Sequence, residues 1–216
     1  MADCGPPVGA VTTQQAALLA ETFWLLIDPG KPVPAARLAA ATGCEIATVQ
    51  AELDELSQAG RISRTGDGEV TGSLGLTLEP TSHTISVDGA LRHTWCALDA
   101  LAILAALHAT GWIDSAEPAT GRRFRIDVEA GVPRTAGNPW VVFIAERRPV
   151  GSVIAEWCPL VNIFEDEQAA KAWAADRGVS GECYGLAETA SLGAQLWEPR
   201  IAAGRGGGDR TGQACG

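Results

Sequence analysis

The chain has no long apolar run. Its richest stretch, Ala100 to Leu107, is far shorter than the roughly 20 residues a membrane-spanning helix needs, so no membrane segment is expected. The first residues, Met1-Ala2-Asp3-Cys4-Gly5-Pro6-Pro7, lack the basic-then-apolar order of a secretory leader. A cytoplasmic location is therefore the expectation. Positive charge is scarce, with 16 Lys and Arg against 26 Asp and Glu and a net charge of −10. A general nucleic-acid binder needs cations to displace phosphate counterions, so neither nucleic acid nor membrane is an expected partner. No C-x-x-C pair occurs among Cys4, Cys44, Cys96, Cys158, Cys183 and Cys215, and the 3 histidines (His83, His93, His108) lack finger spacing. Both absences speak against zinc modules. Cysteines this widely spaced do not suit a disulfide-stapled miniature domain, so free thiols in a reducing compartment are expected. No internal repeat is present.

What is there supports a sizeable core, since 46% of the residues are hydrophobic. Helical spacing of apolar residues predicts helices over Gln14–Ile27, Pro34–Ala41 and Glu45–Ala59, with Pro29-Gly30 ending the first and Gly43 and Gly60 closing the others. A hairpin follows, Arg61–Arg64 and Glu69–Thr71 around Gly66-Asp67-Gly68. Three helices and a hairpin make a winged-helix-like pattern. Beyond it, Leu74–Leu78, His83–Val87, Arg122–Val128, Trp140–Ala145, Ser152–Trp157 and Val161–Phe164 read as strands. Glu165–Ala175 and Leu186–Ile201 read as helices. The expected class is α+β: residues 1–13 a flexible N-terminus, 14–73 a winged-helix-like helical module, 74–202 an α+β core with a mostly antiparallel sheet, and 203–216 a flexible Gly/Arg-rich tail.

A winged helix suggests DNA binding through its third helix. Here that helix carries Glu45, Glu52, Asp54 and Glu55 and no Lys or Arg, leaving Gln50 and Gln58 as its only base-reading side chains. Phosphate repulsion opposes such docking. A helical module packed on the rest of the chain is the favoured reading.

The chemistry-bearing feature is Cys96 and Asp99, three residues apart in His93-Thr94-Trp95-Cys96-Ala97-Leu98-Asp99. The Ala/Leu-rich segment through His108 reads as a helix with Thr94 as its N-cap. Cys96 then falls in the first turn and Asp99 on the same face. A helix N-terminus favours thiolate, and a carboxyl one turn away can accept or deliver a proton. The bland alternatives are a small buried cysteine and a solvated first-turn aspartate. A second thiol, Cys158, closes a strand-like run before Pro159. Two thiols and a carboxyl suit a soft ion rather than Mg or Ca. Cys44, Cys183 and His108 read as structural, and Cys4 and Cys215 fall in the predicted tails. Trp95 alone would more often be core.

Trp-Cys-Ala-Leu-Asp (Trp95 to Asp99), Leu-Thr-Leu-x-x-Thr-Ser (Leu76 to Ser82) and Trp157-Cys158-x-x-Val161-x-x-Phe164 resemble the alkylmercury (organomercurial) lyases. The similarity runs through Ala119-Thr120-Gly121 and the Ala169/Trp173 helix, over roughly residues 14–200. It implies protonolysis of R–Hg⁺ to R–H and Hg(II). Cys96 and Cys158 would hold the mercury, as substrate and then product, with Asp99 close to it and delivering the proton. Trp95 would wall the substrate. The resemblance implies no cofactor, but external cellular thiols, and a mercuric reductase as a possible recipient of Hg(II). The chain departs from the family pattern at His93, Glu117-Pro118 and Pro159. The rival reading is a winged-helix thiol or metal sensor that binds mercury without cleaving it.

Overall fold

The computed structural model describes residues 11–28, 30–146 and 151–205, with Gly204 and Arg205 as backbone alone. The tail readings for residues 1–10 and 206–216, with Cys4 and Cys215, lie outside the described residues, as does the helix break at Pro29. The fold is mixed α+β with antiparallel sheets.

Three helices open the chain: α1 (Thr13–Ile27), α2 (Ala35–Thr42) and α3 (Ile46–Gln58). Thr12 starts α1 in a capping box with Gln15, each side chain satisfying the other's backbone N–H. Gly43 ends α2 in the left-handed conformation, at φ 72°. Strands β1 (Ile62–Arg64) and β2 (Val70–Ser73) form the expected hairpin. The hairpin does not stand apart, because β2 pairs with β3 (Leu76–Thr77) and so becomes the edge of a larger sheet. That sheet adds β4 (His83–Val87), β5 (Ala90–Thr94), β6 (Gly111–Ala116), β7 (Arg123–Glu129) and β8 (Val132–Arg134), in the order β1-β2-β3-β5-β4-β6-β7-β8. In β7 the odd residues are exposed and Phe124, Ile126 and Val128 are buried, the period of a strand with one wet face.

Helix α4 (Ala97–Ala106) separates β5 from β6. All ten of its residues are buried, and it touches strands of both sheets. The smaller sheet, β10-β9-β11, consists of β9 (Val141–Ala145), β10 (Asn162–Phe164) and β11 (Gly181–Gly185). Between β9 and β10 lie a four-residue helix α5 (Val153–Glu156) and a 3₁₀ turn (Cys158–Leu160). Helices α6 (Glu167–Asp176) and α7 (Leu186–Arg205) complete the fold. Helix α7 packs on both α1 and α4. At the second contact a Cβ on Gly193 would lie 2.6 Å from the Ala102 Cβ, so only glycine lets the two backbones come this close.

Several sequence expectations need correction. Ser152–Trp157 is not a strand: Ser152 caps α5 by accepting from the Ala155 N–H at 3.1 Å. Leu74–Leu78 is strand only at Leu76–Thr77, because Leu74 and Gly75 turn through positive φ, 48° and 85°. Thr94 is not the cap of α4. It is the last residue of β5, its hydroxyl donates to the Cys96 carbonyl at 3.0 Å, and the chain bends at Trp95 before Cys96 caps the helix. The free-thiol expectation fails at Cys44, which is disulfide-bonded, whereas Cys96, Cys158 and Cys183 are free.

Candidate active site

Cys96 occupies the corner where β5 ends and α4 begins. Its backbone N–H donates to the Asp99 carboxylate at 3.1 Å, and the Asp99 N–H points back to the Cys96 sulfur, a capping box built from a thiol and a carboxylate. The three-residue spacing therefore fixes Asp99 against Cys96. Cys158 is brought to the same corner by main-chain ties. The Ala97 N–H at the head of α4 donates to the Val161 carbonyl at 3.2 Å, and the Val161 N–H donates to the Cys158 carbonyl at 3.1 Å. The Asn162 amide holds the Pro159 carbonyl at 2.8 Å.

The outcome is a cluster in which the Cys96 Sγ, the Cys158 Sγ and an Asp99 carboxylate oxygen all lie within 4.8 Å of one another. All three side chains are buried, at 0%, 3% and 4% exposure. Bonds of about 2.3 Å from each sulfur to one soft metal ion would fit this span. Gly75 presses on the carboxyl from the other side: a Cβ there would lie 2.3 Å from Asp99 Oδ1.

Burial sets the proton affinities. It raises the Cys96 thiol well above its ordinary pKa, helped by Cys158 and the Asp99 charge. This corrects the expectation of a thiolate at rest, because withdrawal from water outweighs the helix terminus. Burial also pushes Asp99 up to about 6, against hydrogen bonds from Cys96 that favour the carboxylate. At rest Cys96 is a thiol, and near neutrality Asp99 is mainly an anion able to take a proton.

Asp99 and Cys158 line a cavity of about 130 Å³ together with Trp95, Trp157 and Trp197. Trp157 is fixed by its indole N–H to the Ala145 carbonyl (3.0 Å), and Trp197 by the same group to the Leu74 carbonyl (2.8 Å). Ala16 and Leu19 of α1 add apolar wall, and Arg61 and Arg200 add positive charge.

Residues 76–198 match the family model MerB, described as alkylmercury lyase. The chain belongs to the alkylmercury lyase family. It is 34% identical to an alkylmercury lyase of Staphylococcus epidermidis over 149 residues, which is 68% of this chain and 67% of that protein. It is 31% identical to an alkylmercury lyase of Bacillus cereus over 169 residues, 78% of this chain and 75% of that one. The crystal structure of the mercury-bound form of MerB2 shares the fold, with a TM-score of 0.77 at 24% identity, covering 87% of this chain and 91% of the other.

For an alkylmercury lyase, Cys96, Asp99 and Cys158 are the residues that the sequence motifs single out, and the fold brings them together. Trp95 lines the cavity beside them. Among the described residues no other group of three or more His, Cys, Asp or Glu is placed to hold a metal ion. Sequence reasoning missed Gly75, Trp197, Arg61 and Arg200 as cavity residues. Trp197 and Arg200 carried a usable signal, since a spacing of three places both on one face of α7. Gly75 and Arg61 carried none, because their roles depend on how distant segments pack.

Proposed function

We propose that this member of the alkylmercury lyase family cleaves the carbon–mercury bond of R–Hg⁺ by protonolysis, with Cys96 and Cys158 as the mercury ligands and Asp99 as the proton carrier. The observation that carries the roles is the convergence of two sulfurs and a carboxylate within 4.8 Å, with Asp99 and Cys158 lining a cavity they share with three tryptophans. Mercury displaces the proton of the first thiol as it binds. Asp99, with a pKa of about 6, takes that proton in a buried site. The second sulfur then raises the electron density on mercury and on the carbon it holds. Asp99 returns the proton to that carbon, acting first as base and then as acid. R–H leaves, and Hg(II) stays between the sulfurs.

The balance is Cys96–SH + Cys158–SH + R–Hg–SR′ → Cys96–S–Hg–S–Cys158 + R–H + R′SH. Two thiol protons are consumed, one on carbon and one on the departing thiol. Excess cellular thiol then removes Hg(II), and a mercuric reductase is its recipient in the cytoplasm. No resident cofactor is needed for this balance. Trp95 shields the alkyl or aryl group from water. Ala16, Leu19 and Arg61, from the helical module of residues 14–73, form part of the cavity wall. The sensor reading gains no support from α3, where Glu45, Asp54 and Glu55 are exposed. No helix among the described residues is long and apolar enough to cross a membrane.

The test is headspace detection of benzene from phenylmercury with purified protein and excess thiol. Catalytic release that depends on both Cys96 and Cys158 is expected. Benzene at the uncatalysed rate, with mercury bound to both sulfurs, would instead favour the sensor.

A further inference from the structure

His83, Thr94, Ser115 and Asn162 are polar, yet each is exposed by 5% or less. Burying such groups is costly unless they are bonded to one another or to the backbone. Here they form a line between the two cysteines. His83 lies in β4, with Thr94 of β5 as its register partner on one side and Ser115 of β6 on the other. The Thr94 hydroxyl donates to the Cys96 carbonyl at 3.0 Å. The His83 Nδ1 is 2.8 Å from the Ser115 hydroxyl, which leaves Nε2 for the hydrogen bond with the Asn162 side chain. Asn162 belongs to β10 of the smaller sheet, and its amide nitrogen donates to the Pro159 carbonyl at 2.8 Å. Its oxygen is then the atom left to accept from the imidazole. Burial pulls the ring down to a pKa of about 4, so near neutrality it carries one proton. That proton on Nε2 serves Asn162, while Nδ1 accepts from Ser115. The line thus runs from the larger sheet, across to the smaller one, and ends on the residue next to Cys158.

We propose that His83 is a positioning residue for the lyase reaction: through Asn162 it braces the turn that carries Cys158 against the sheet that leads into Cys96, and so sets the spacing of the two sulfurs. The brace rests on the lyase reading and adds to it a residue that touches neither substrate nor reacting atoms. The Cys158 turn has only three residues, too few to fix a side chain by its own backbone bonds. Cys96 needs no such help, because it caps a buried helix. Loss of the brace therefore spares the first mercury–sulfur bond and weakens the second. The second bond is the one that loads electron density onto carbon and then retains Hg(II), so both functions depend on His83.

Two substitutions at His83 separate the brace from simple packing. A glutamine amide reaches about as far as Nε2 and can still donate to Asn162, whereas an asparagine amide reaches only as far as Nδ1. Single-turnover benzene release from phenylmercury should stay within about threefold of wild type in His83→Gln and slow by roughly tenfold to a hundredfold in His83→Asn. Protein loaded with Hg(II) is also mixed with excess 2-mercaptoethanol, and mercury transfer is timed. Transfer should be roughly tenfold faster from His83→Asn than from His83→Gln, because the second protein thiol no longer holds on. Asn162→Leu, close in shape and unable to bond, should match His83→Asn. Nitrogen NMR of the wild-type imidazole needs no variant and should show a neutral ring with its proton on Nε2. A proton on Nδ1, or equal benzene and transfer rates in the glutamine and asparagine variants, overturns the brace. Benzene from the wild type with matched variants removes the brace alone, whereas no benzene from the wild type removes the lyase reading and the brace with it.

Discussion

Cys96 and Cys158 reach one cluster from unlike supports. Cys96 caps a helix buried along its whole length and wedged between two sheets and α7. Cys158 sits in a three-residue 3₁₀ turn after a four-residue helix. Its place depends on a few bonds from outside: Trp157 to Ala145, Asn162 to Pro159, and Ala97 to Val161. The first thiol and the proton carrier therefore share one stiff element. The second thiol is delivered by short turns. Such a division suits a clamp in which one jaw and the acid are fixed and the other jaw closes on the metal.

The largest effects should come from removing either jaw. Cys96→Ala and Cys158→Ala are each expected to lower steady-state benzene release by on the order of a thousandfold or more, as loss of a covalent partner does. Their stabilities should differ. Cys96→Ala removes half of the thiol–carboxylate capping box inside the core and should cost about 1–2 kcal/mol in urea unfolding. Cys158→Ala should cost less than about 1 kcal/mol. Equal losses would dissolve the contrast between the two supports.

A glycine pair sharpens the fixed side. Gly75→Ala puts a Cβ 2.3 Å from Asp99 Oδ1 at φ 85°, whereas Gly43→Ala has φ 72° and nothing within 4 Å. Both carry the left-handed backbone penalty of about 1 kcal/mol. Gly75→Ala alone should also displace the carboxyl and reduce kcat, by roughly tenfold to a hundredfold. Similar kinetics in both variants would mean that Gly75 does not fix the acid.

Two buried groups oppose each other in pH. His83, tied to the Ser115 hydroxyl at 2.8 Å, is pulled down to about 4 by burial, against a hydrogen bond with Asn162. Unfolding lets it bind a proton below its ordinary value of 6.5, so its contribution to stability falls as the pH drops from 6.5 towards 4. Asp99 is raised from 3.8 to about 6, so keeping its buried carboxylate lowers stability as the pH rises through that window and fully so above it. Each effect is about 3 kcal/mol in size. They nearly cancel between pH 4 and 6. Asp99→Asn removes one of them, so that variant should be the more stable protein at pH 8 and show a steeper loss on acidification. Urea midpoints measured against pH check both signs.

Much of this was legible in the sequence, for reasons that differ by element. Helices α1 to α3 and α7 announced themselves through apolar spacing, and the cysteine motifs singled out Cys96, Asp99 and Cys158. What failed was local. Ser152–Trp157 alternates like a strand, yet Ser152 is a helix cap. Thr94 has the chemistry of a cap, yet strand pairing holds it in β5. Strand β8 has only three residues, too few for a period to show, and β11 begins and ends on glycine with a weak burial alternation. The lowered thiol pKa expected of a helix terminus was overridden by a burial that only the packed structure supplies. Arg61 and Arg200 line one cavity although more than a hundred residues of chain separate them, a separation no motif records.

The central claim is that Asp99 carries the proton to carbon. A single turnover of phenylmercury by Asp99→Asn tests it most directly, with benzene timed in the headspace and bound mercury counted by mass spectrometry of the intact protein. The account predicts that one phenylmercury stays on each chain while benzene release slows by roughly a hundredfold to ten-thousandfold, because an amide cannot pass on the proton. Benzene released at the wild-type rate would contradict it.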